Sequence, residues 1–261
     1  MEIDDLIKNL HHYSTDSNDL IVINGGEPTV HPYFYDLISK LCDSFSSEII
    51  IYTNASLLSV PQLPNTIRLS FVIPIHGSET IHNTITQKNK SYSSTIHNLQ
   101  LLNEFSYRYR LKFIINNAMI AERFIINDFV NQYNLNPEEI ILARLNSTKK
   151  SVKNGITIPT HKQITPYLHL QIQHLQGNRK IKLLDIPPCF LKDDLQIGEK
   201  CGIPDFYFND PYNSMKKRKY YKEIKIGSNC DNCINYQKCK LMERSYLTLS
   251  ICNNNLFLER E

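Results

Sequence analysis

Three closely spaced cysteines near the end of the chain carry the strongest chemical signal in the sequence. Cys230, Cys233 and Cys239 lie in the polar segment CDNCINYQKC, separated by two and then by five residues. A two-residue spacing lets two thiolates bind one metal ion, as in zinc ribbons and iron–sulfur loops. Because nothing apolar surrounds these thiols, we expect a metal site rather than three buried free cysteines. A fourth ligand must come from elsewhere in the chain, and the candidates are Cys189, Cys201 and Cys252.

A pair of glycines followed by Glu-Pro forms the second candidate site. Gly25, Gly26, Glu27 and Pro28 come directly after the apolar run LIVIN. Glycines at the carboxyl end of a strand let the backbone approach a ligand closely, and ligands of parallel sheets bind at that end. Glu27, restrained by the proline, would present a carboxylate and backbone groups to an amine. Two glycines here also suit an ordinary turn, so the motif alone leaves both interpretations open.

The sequence predicts alternating strands and helices as the scaffold for these sites, up to about residue 186. Short apolar runs predict strands at 20–24, 48–52, 67–75, 111–116, 140–145 and 180–184. Helices are predicted at 3–13, 32–45, 95–108, 126–133 and 160–176. This alternation indicates an α/β fold with a parallel sheet and helical crossovers. The β-branched run 20–24 further indicates a strand that is buried on both faces.

Length, charge and composition limit the classes of function. A chain of 261 residues suits one large domain, or one domain with a small appendage. A net charge of +3 and a pI of about 8.4 are too mild to indicate nucleic-acid binding. The basic run 216–219 is expected on a solvated helix over 212–221. Since no signal sequence and no apolar stretch of about 18 residues is present, we expect a cytoplasmic protein that does not enter a membrane.

Four segments of the chain resemble the radical S-adenosylmethionine (radical SAM) superfamily, and they occur in that family's order. They are GGEPTVHPYFYDLISKL, IYTNASLL, the unit from residue 70 to residue 102, and KFIINNAMI. The resemblance covers nearly the whole chain and implies that the Gly-Gly-Glu-Pro segment contacts the methionine amine of S-adenosylmethionine. The cofactor-binding residues expected on this basis are Gly25, Gly26, Glu27, Pro28, Thr53, Asn54, His76 and Asn116.

Some polar residues at predicted strand ends also have plain structural interpretations. His76, next to Gly77, either contacts the cofactor or substrate or is a turn residue. Asn116 either meets the ribose or carboxylate of the cofactor or caps a turn. Arg144, near the end of the run IILARL, either reaches inward to a carboxylate or faces solvent.

The sequence departs from the family pattern at the catalytic cluster. In the family, a Cys-x3-Cys-x2-Cys loop after the first strand binds a four-iron cluster that cleaves S-adenosylmethionine. Residues 1–41 contain no cysteine, and Cys42 falls on an apolar helix stripe where a buried side chain is expected. The resemblance therefore implies an incomplete (β/α)6-type barrel over residues 1–185 that lacks its first strand. Truncation, natural degeneration and supply of the loop by another chain are all compatible with this sequence.

Residues 186–261 resemble the auxiliary-cluster module, of SPASM or twitch type, found in peptide-modifying members of the family. In that pattern a Pro-x-Cys segment precedes a Cys-x2-Cys-x5-Cys module that binds an auxiliary 4Fe–4S cluster. The match implies Cys189, Cys230, Cys233 and Cys239 as ligands, and zinc bound by the same thiolates is the alternative. Glu243 stands where a further cysteine would support a second cluster, so a second complete cluster is not expected.

Two functions follow from the resemblance. The first is a radical SAM enzyme of the peptide-modifying type, in which the auxiliary cluster binds substrate or transfers electrons. The second is a catalytically inactive homologue that binds a peptide or a partner enzyme and retains a metal for structure. A peptide or protein is the expected partner in both cases. Because a barrel without its first strand has unpaired edges, we also expect a partner chain or a second copy to cover them.

Overall fold

The computed structural model of the protein describes residues 3–13, 20–145, 159, 161–175, 180–184, 186, 206–209 and 215–218. Strands and helices alternate through most of these ranges. The strands are β1 (Leu20–Ile23), β2 (Glu48–Tyr52), β3 (Leu69–Ile75), β4 (Arg108–Ile115), β5 (Glu139–Arg144), β6 (Lys180–Leu184), β7 (Phe206–Asn209) and β8 (Met215–Arg218). The helices are α1 (Ile3–Tyr13), α2 (Phe34–Ser44), α3 (Glu79–Thr86), α4 (Ser91–Glu104), α5 (Asn117–Ala121), α6 (Ile126–Gln132) and α7 (His161–Leu175).

Six of the strands form one sheet, in the order β1-β2-β3-β4-β5-β6. β1 pairs with β2, and β2 with β3, in parallel, and the register places Val22 opposite Ile50 and Ile50 opposite Ser70. Sequential parallel neighbours require crossover connections, which is why helices separate most of these strands in the chain. The expected α/β fold with a parallel sheet is therefore confirmed.

The chain divides into two compact units, each with its own buried residues. The first unit comprises Met1–Ile75, His82–Lys112 and Asp128–Ile140. Its most deeply buried side chains include Ile49, Ile51, Leu69 and Phe71. The second unit comprises His76–Ile81, Phe113–Asn127 and Ile141–Glu261. Its buried side chains include Phe113, Met119, Leu168 and Ile172.

Two sequence-based expectations about strands and helices are wrong. The run 20–24 was expected to be buried on both faces, but no residue of β1 is buried and Leu20 is 42% exposed. Among the described strands, β1 has a neighbour on one side only, so this apolar strand at the sheet edge stays half-exposed. The helix expected at 212–221 is also wrong, because Met215–Arg218 is a strand that pairs antiparallel with Phe206–Asn209.

Helix boundaries differ from the predicted ones where local backbone bonds decide them. A short 3-10 helix at Pro28–Val30 precedes α2, which therefore begins at Phe34 rather than at Pro32. The helix predicted at 95–108 is α4, which begins at Ser91 and ends at Glu104. It ends there because Ser106 adopts a φ of 58° and the Tyr107 N–H bonds back to the Leu102 carbonyl. Within the described ranges, no helix combines the length and apolar character needed to cross a membrane.

Candidate functional site

The loops that follow β1 and β2 meet at one edge of the sheet. The two strands are adjacent and parallel, so both loops leave from the carboxyl ends of their strands. All of the residues in these loops belong to the first unit. We define the glycine corner as Gly25, Gly26, Glu27, Pro28, Thr53 and Asn54. The structure thus brings together six of the eight cofactor-binding residues expected from the sequence.

The Glu27 carboxylate ties the two loops of the glycine corner together. Its Oε1 atom accepts hydrogen bonds from Thr53 Oγ1 at 2.5 Å, Thr29 Oγ1 at 2.6 Å and the Thr29 N–H at 3.2 Å. Its Oε2 atom accepts one hydrogen bond, from the Asn54 N–H at 2.8 Å. A carboxylate oxygen accepts about two hydrogen bonds, so Oε2 keeps capacity for one further donor. Glu27 therefore fixes the corner and still offers one acceptor position.

The loop after β2 is held on its other side by α4. Thr95 Oγ1 donates to the Asn54 carbonyl at 2.8 Å, and Asn98 Nδ2 donates to the Ala55 carbonyl at 2.7 Å. Thr53 Oγ1 also accepts from the Ala55 N–H at 2.9 Å. Ala55 has a φ of 57°, which is strained for a residue other than glycine and persists when surrounding bonds impose it. The corner is thus a preorganised element rather than a loose turn.

Neither glycine of the corner is required by the conformation of the chain. Only Gly77, among the described glycines, has a φ in the left-handed region. A Cβ atom added to Gly25 or to Gly26 would meet nothing within 4 Å. Glycine is otherwise used where a ligand must approach the backbone closely. Both glycines are exposed, so the space beside them is open to solvent and accessible to a bound molecule.

His76 and Asn116 lie in the second unit, where they contact each other. Asn116 Nδ2 donates to the His76 carbonyl at 2.8 Å and to the Ile114 carbonyl at 3.1 Å. Asn116 Oδ1 accepts from the Met119 N–H at 3.0 Å, which caps α5. The amide of Asn116 is buried, and both its N–H groups and its oxygen are used inside the protein. The contact of these two residues with a cofactor stays a prediction.

Arg144 and Cys42 are the other residues singled out from the sequence that the structure describes. Arg144 ends β5 and is 3% exposed, so the solvent-facing interpretation is wrong. Cys42 is buried on α2, as expected. Its burial raises the pKa of the thiol more than the nearby Arg68 lowers it, and Asp43 raises the pKa further. Cys42 therefore has the character of a core side chain and not of a metal ligand.

The expected metal ligands Cys189, Cys230, Cys233 and Cys239 lie outside the described residues, as do Cys201 and Cys252. The auxiliary metal site accordingly remains a prediction. Within the part of the chain that the structure describes, no group of three or more His, Cys, Asp and Glu residues is placed to bind a metal ion.

Sequence reasoning missed the residues that support the corner from behind. Thr95 and Asn98 are buried polar residues on α4, and both bond to the loop after β2. The phenol oxygen of Tyr35 on α2 accepts a hydrogen bond from the Ser59 N–H at 2.6 Å. The available signal was the position of Thr95 and Asn98 three residues apart, beside the apolar positions of the same helix. Their acceptors could not be read from the sequence, because they are backbone carbonyls of a distant loop.

Comparison with known proteins identifies the fold. No protein-family model matches the sequence, and no curated protein sequence matches it. Among solved structures, SuiB of Streptococcus suis bound to S-adenosylmethionine superposes with a TM-score of 0.53 and 16% identity, over 70% of this chain and 43% of SuiB. The protein anSMEcpe with bound AdoMet and the Kp18Cys peptide gives a TM-score of 0.52 and 14% identity, over 69% of this chain and 54% of anSMEcpe.

The described strands and helices define an α/β protein with a parallel sheet. More narrowly, both matched structures are radical SAM enzymes, so the fold is the one found in the barrels of that class. At identities of 14% to 16% the likeness establishes the fold and not the activity. The chain spans about half the length of each of these two proteins.

Proposed function

We propose that the protein is a radical SAM family member of the peptide-modifying type and binds S-adenosylmethionine at the glycine corner. The observation that carries the proposal is the free space beside Gly25 and Gly26, two glycines that the backbone conformation does not need. They lie at the carboxyl edge of a parallel sheet, where ligands of such sheets bind. The fold shared with radical SAM enzymes and the order of the four resembling segments support the same assignment.

The residues of the corner divide the work of binding between them. Backbone groups of Gly25 and Gly26 receive the methionine end of the cofactor, because no side chain stands in the way. Glu27 holds these groups in place through Thr53 and Asn54, and its remaining Oε2 position accepts from the amine. Pro28 begins the 3-10 helix that turns the chain away from the site. S-adenosylmethionine itself supplies a sulfonium group whose reductive cleavage starts radical chemistry.

His76 and Asn116 complete the proposed set in different ways. Asn116 acts as a positioning residue, because its amide is engaged with the His76 carbonyl and the cap of α5. Asn116 positions the turn at His76 and Gly77 within the second unit. His76 is proposed as a cofactor or substrate contact from the sequence. A variant such as Asn116→Ala should therefore act through the turn, lowering stability as well as binding.

A peptide substrate and an auxiliary 4Fe–4S cluster belong to the same proposal. SuiB, whose fold the chain shares, has been solved bound to its precursor peptide SuiA. Cys189, Cys230, Cys233 and Cys239 are the proposed cluster ligands. Anaerobically purified protein should contain about four irons with matching sulfide per chain. Zinc in place of iron would contradict the cluster and would favour a structural site with the same thiolates.

Binding of radiolabelled S-adenosylmethionine to the Gly26→Val variant tests the cofactor site. The valine side chain enters free space, so the fold should be unaffected while the ligand is displaced. We expect equilibrium dialysis to show binding to the wild type and at least a roughly tenfold weaker affinity in the variant, a loss of about 1.4 kcal/mol. The matched control is Ser46→Val, which introduces the same valine side chain at an exposed loop position before β2. Equal affinity of Gly26→Val and wild type would contradict the site.

A catalytically inactive homologue that binds a peptide or a partner enzyme is the second candidate. Such a protein would bind S-adenosylmethionine or peptide without cleaving the sulfonium. Reduction with dithionite in the presence of S-adenosylmethionine separates the two candidates. An in-frame Cys-x3-Cys-x2-Cys segment in the DNA upstream of Met1, together with formation of 5′-deoxyadenosine by the protein that contains it, supports the enzyme. Binding of S-adenosylmethionine with neither of these results supports the inactive homologue.

A further inference from the structure

The two faces of the sheet differ in polarity within the first unit. Ile49, Ile51 and Phe71 are fully buried on one face. Glu48 and Tyr52 alternate with them along β2, so they lie on the opposite face, and both are only half-buried. A parallel sheet covered on both sides normally has apolar residues on both faces. We call the second face the polar face and define it by Glu48, Tyr52, Ser70 and Arg110, which surround the buried Ile50.

Ion pairs occupy the amino half of the polar face. Arg110 Nη2 of β4 lies 3.3 Å from Glu48 Oε1 of β2, so this pair crosses the intervening strand β3. Ser70 pairs with Ile50 in the register and therefore shares the face that the ion pair crosses. Its hydroxyl is buried and has no hydrogen-bond partner among the described residues.

Tyr52 occupies the carboxyl end of the same face. It is the last residue of β2, and the loop that carries Thr53 and Asn54 of the glycine corner leaves from this end of the strand. Its phenol makes no hydrogen bond to any residue that the structure describes, although it is half-buried. Tyr107 and Tyr167, by contrast, each donate to a backbone carbonyl. A half-buried phenol that bonds to no described residue is open to water or to a bound molecule.

The electrostatic surroundings keep the phenol of Tyr52 a hydrogen-bond donor. Burial raises its pKa, the nearby guanidinium of Arg110 lowers it, and the carboxylate of Glu139 raises it. The net change is upward, so the hydroxyl stays protonated throughout the neutral range. A protonated phenol can donate to an oxygen of a bound molecule.

We propose that Tyr52 contacts the ligand of the glycine corner and donates a hydrogen bond from its phenol to an oxygen of a bound S-adenosyl compound. This inference rests on the proposed function. S-adenosylmethionine offers two kinds of oxygen acceptor, the carboxylate of its methionine part and the hydroxyls of its ribose. 5′-Methylthioadenosine retains the ribose and lacks the carboxylate, so the pair of compounds distinguishes the two.

The Tyr52→Phe variant tests this contact by equilibrium dialysis with both compounds. Losing one hydrogen bond should weaken binding about fivefold. The matched control is Tyr33→Phe, since Tyr33 is an exposed tyrosine beside the corner, and its affinity should be unchanged. The melting temperature of Tyr52→Phe should equal that of the wild type, because no bond within the protein is lost. Tyr107→Phe should melt lower, since it loses the bond from its phenol to the Leu63 carbonyl at 3.1 Å.

Each outcome of this experiment supports or overturns the inference. Weaker binding of S-adenosylmethionine alone supports a contact to the carboxylate, and weaker binding of both compounds supports a contact to the ribose. Wild-type affinity of Tyr52→Phe for both compounds would overturn the inference and leave the proposed function standing. A melting temperature as low as that of Tyr107→Phe would show that the hydroxyl is structural. Absence of binding to the wild type would overturn the proposed function, and the inference with it.

Discussion

Replacing Glu27 by glutamine tests whether one carboxylate organises the glycine corner. Glutamine preserves the length and shape of the side chain but removes the charge and one acceptor oxygen. If the remaining oxygen stays where it accepts from Thr29 and Thr53, the new NH2 group faces the Asn54 N–H. Two donors then oppose each other at a contact that is now a 2.8 Å hydrogen bond.

The size of the effect follows from the four hydrogen bonds that the carboxylate accepts. A hydrogen bond to a charged group contributes about 1.5–3 kcal/mol, and one between neutral groups about 0.5–1.5 kcal/mol. One charged bond is lost and the other three become neutral, while the half-buried position of Glu27 reduces the total. We expect the free energy of unfolding to fall by roughly 3 kcal/mol. In a protein of this size that lowers the melting temperature by roughly 6–12 °C.

Thermal unfolding followed by circular dichroism measures the total effect, and hydrogen exchange at the Asn54 amide locates it. The Asn54 amide should lose protection, because its acceptor is the oxygen that glutamine replaces. The matched control is Glu104→Gln at the exposed end of α4, where a change within about 0.5 kcal/mol is expected. A loss of less than about 0.5 kcal/mol in Glu27→Gln, or unchanged protection at Asn54, would refute the reasoning.

Three buried or crowded positions elsewhere give further measurable effects. Burial lowers the pKa of His82 to about 4 from 6.5. The unfolded chain therefore takes up a proton first, and the free energy of unfolding should fall by roughly 3 kcal/mol as the pH drops from about 6.5 to about 4. Urea titrations across this range should show the slope, and His82→Gln should remove it. Gly77→Ala should melt below the wild type, because the φ of Gly77 is +132° and a neighbouring side chain would lie 2.9 Å from the new Cβ. Gly26→Ala, measured in parallel, should melt at the wild-type temperature, because its new Cβ meets nothing within 4 Å. Gln171→Leu should lower the free energy of unfolding by about 2 kcal/mol in chemical denaturation. The amide of Gln171 accepts from one backbone N–H and donates to one backbone carbonyl, and leucine replaces neither bond.

The sheet could be predicted from the sequence because its strands coincide with short apolar runs. EIIIY gave β2 with its bounds unchanged, and IRLSFVIPI gave β3 apart from its first two residues. Helix α3 could not be found in this way, because ETIHNTIT has only two aliphatic residues and no apolar stripe. Segment 212–221 was misjudged because short basic runs suit a helix or a strand equally. Pairing of Met215–Arg218 with Phe206–Asn209 decides for the strand.

The position of the glycine corner could be predicted, but its internal bonds could not. Gly25 to Pro28 were recognisable from their place after an apolar run. The bonds from Thr53 and Asn54 to Glu27 depend on the register between β1 and β2. In the chain, Thr53 and Asn54 lie 26 and 27 residues after Glu27. Whether the phenol of Tyr52 finds a partner within the protein depends in addition on which face of β2 is apolar. Both facts belong to the assembled sheet and to no single segment.

A crystal structure of the protein grown with S-adenosylmethionine tests the central claim most directly. It should show the compound against Gly25 and Gly26, with its amine at Glu27 Oε2 and one of its oxygens at the phenol of Tyr52. The side chains of the glycine corner should keep the hydrogen bonds they make without ligand. A compound bound at another place in the chain, with the space beside the two glycines empty, would contradict the claim.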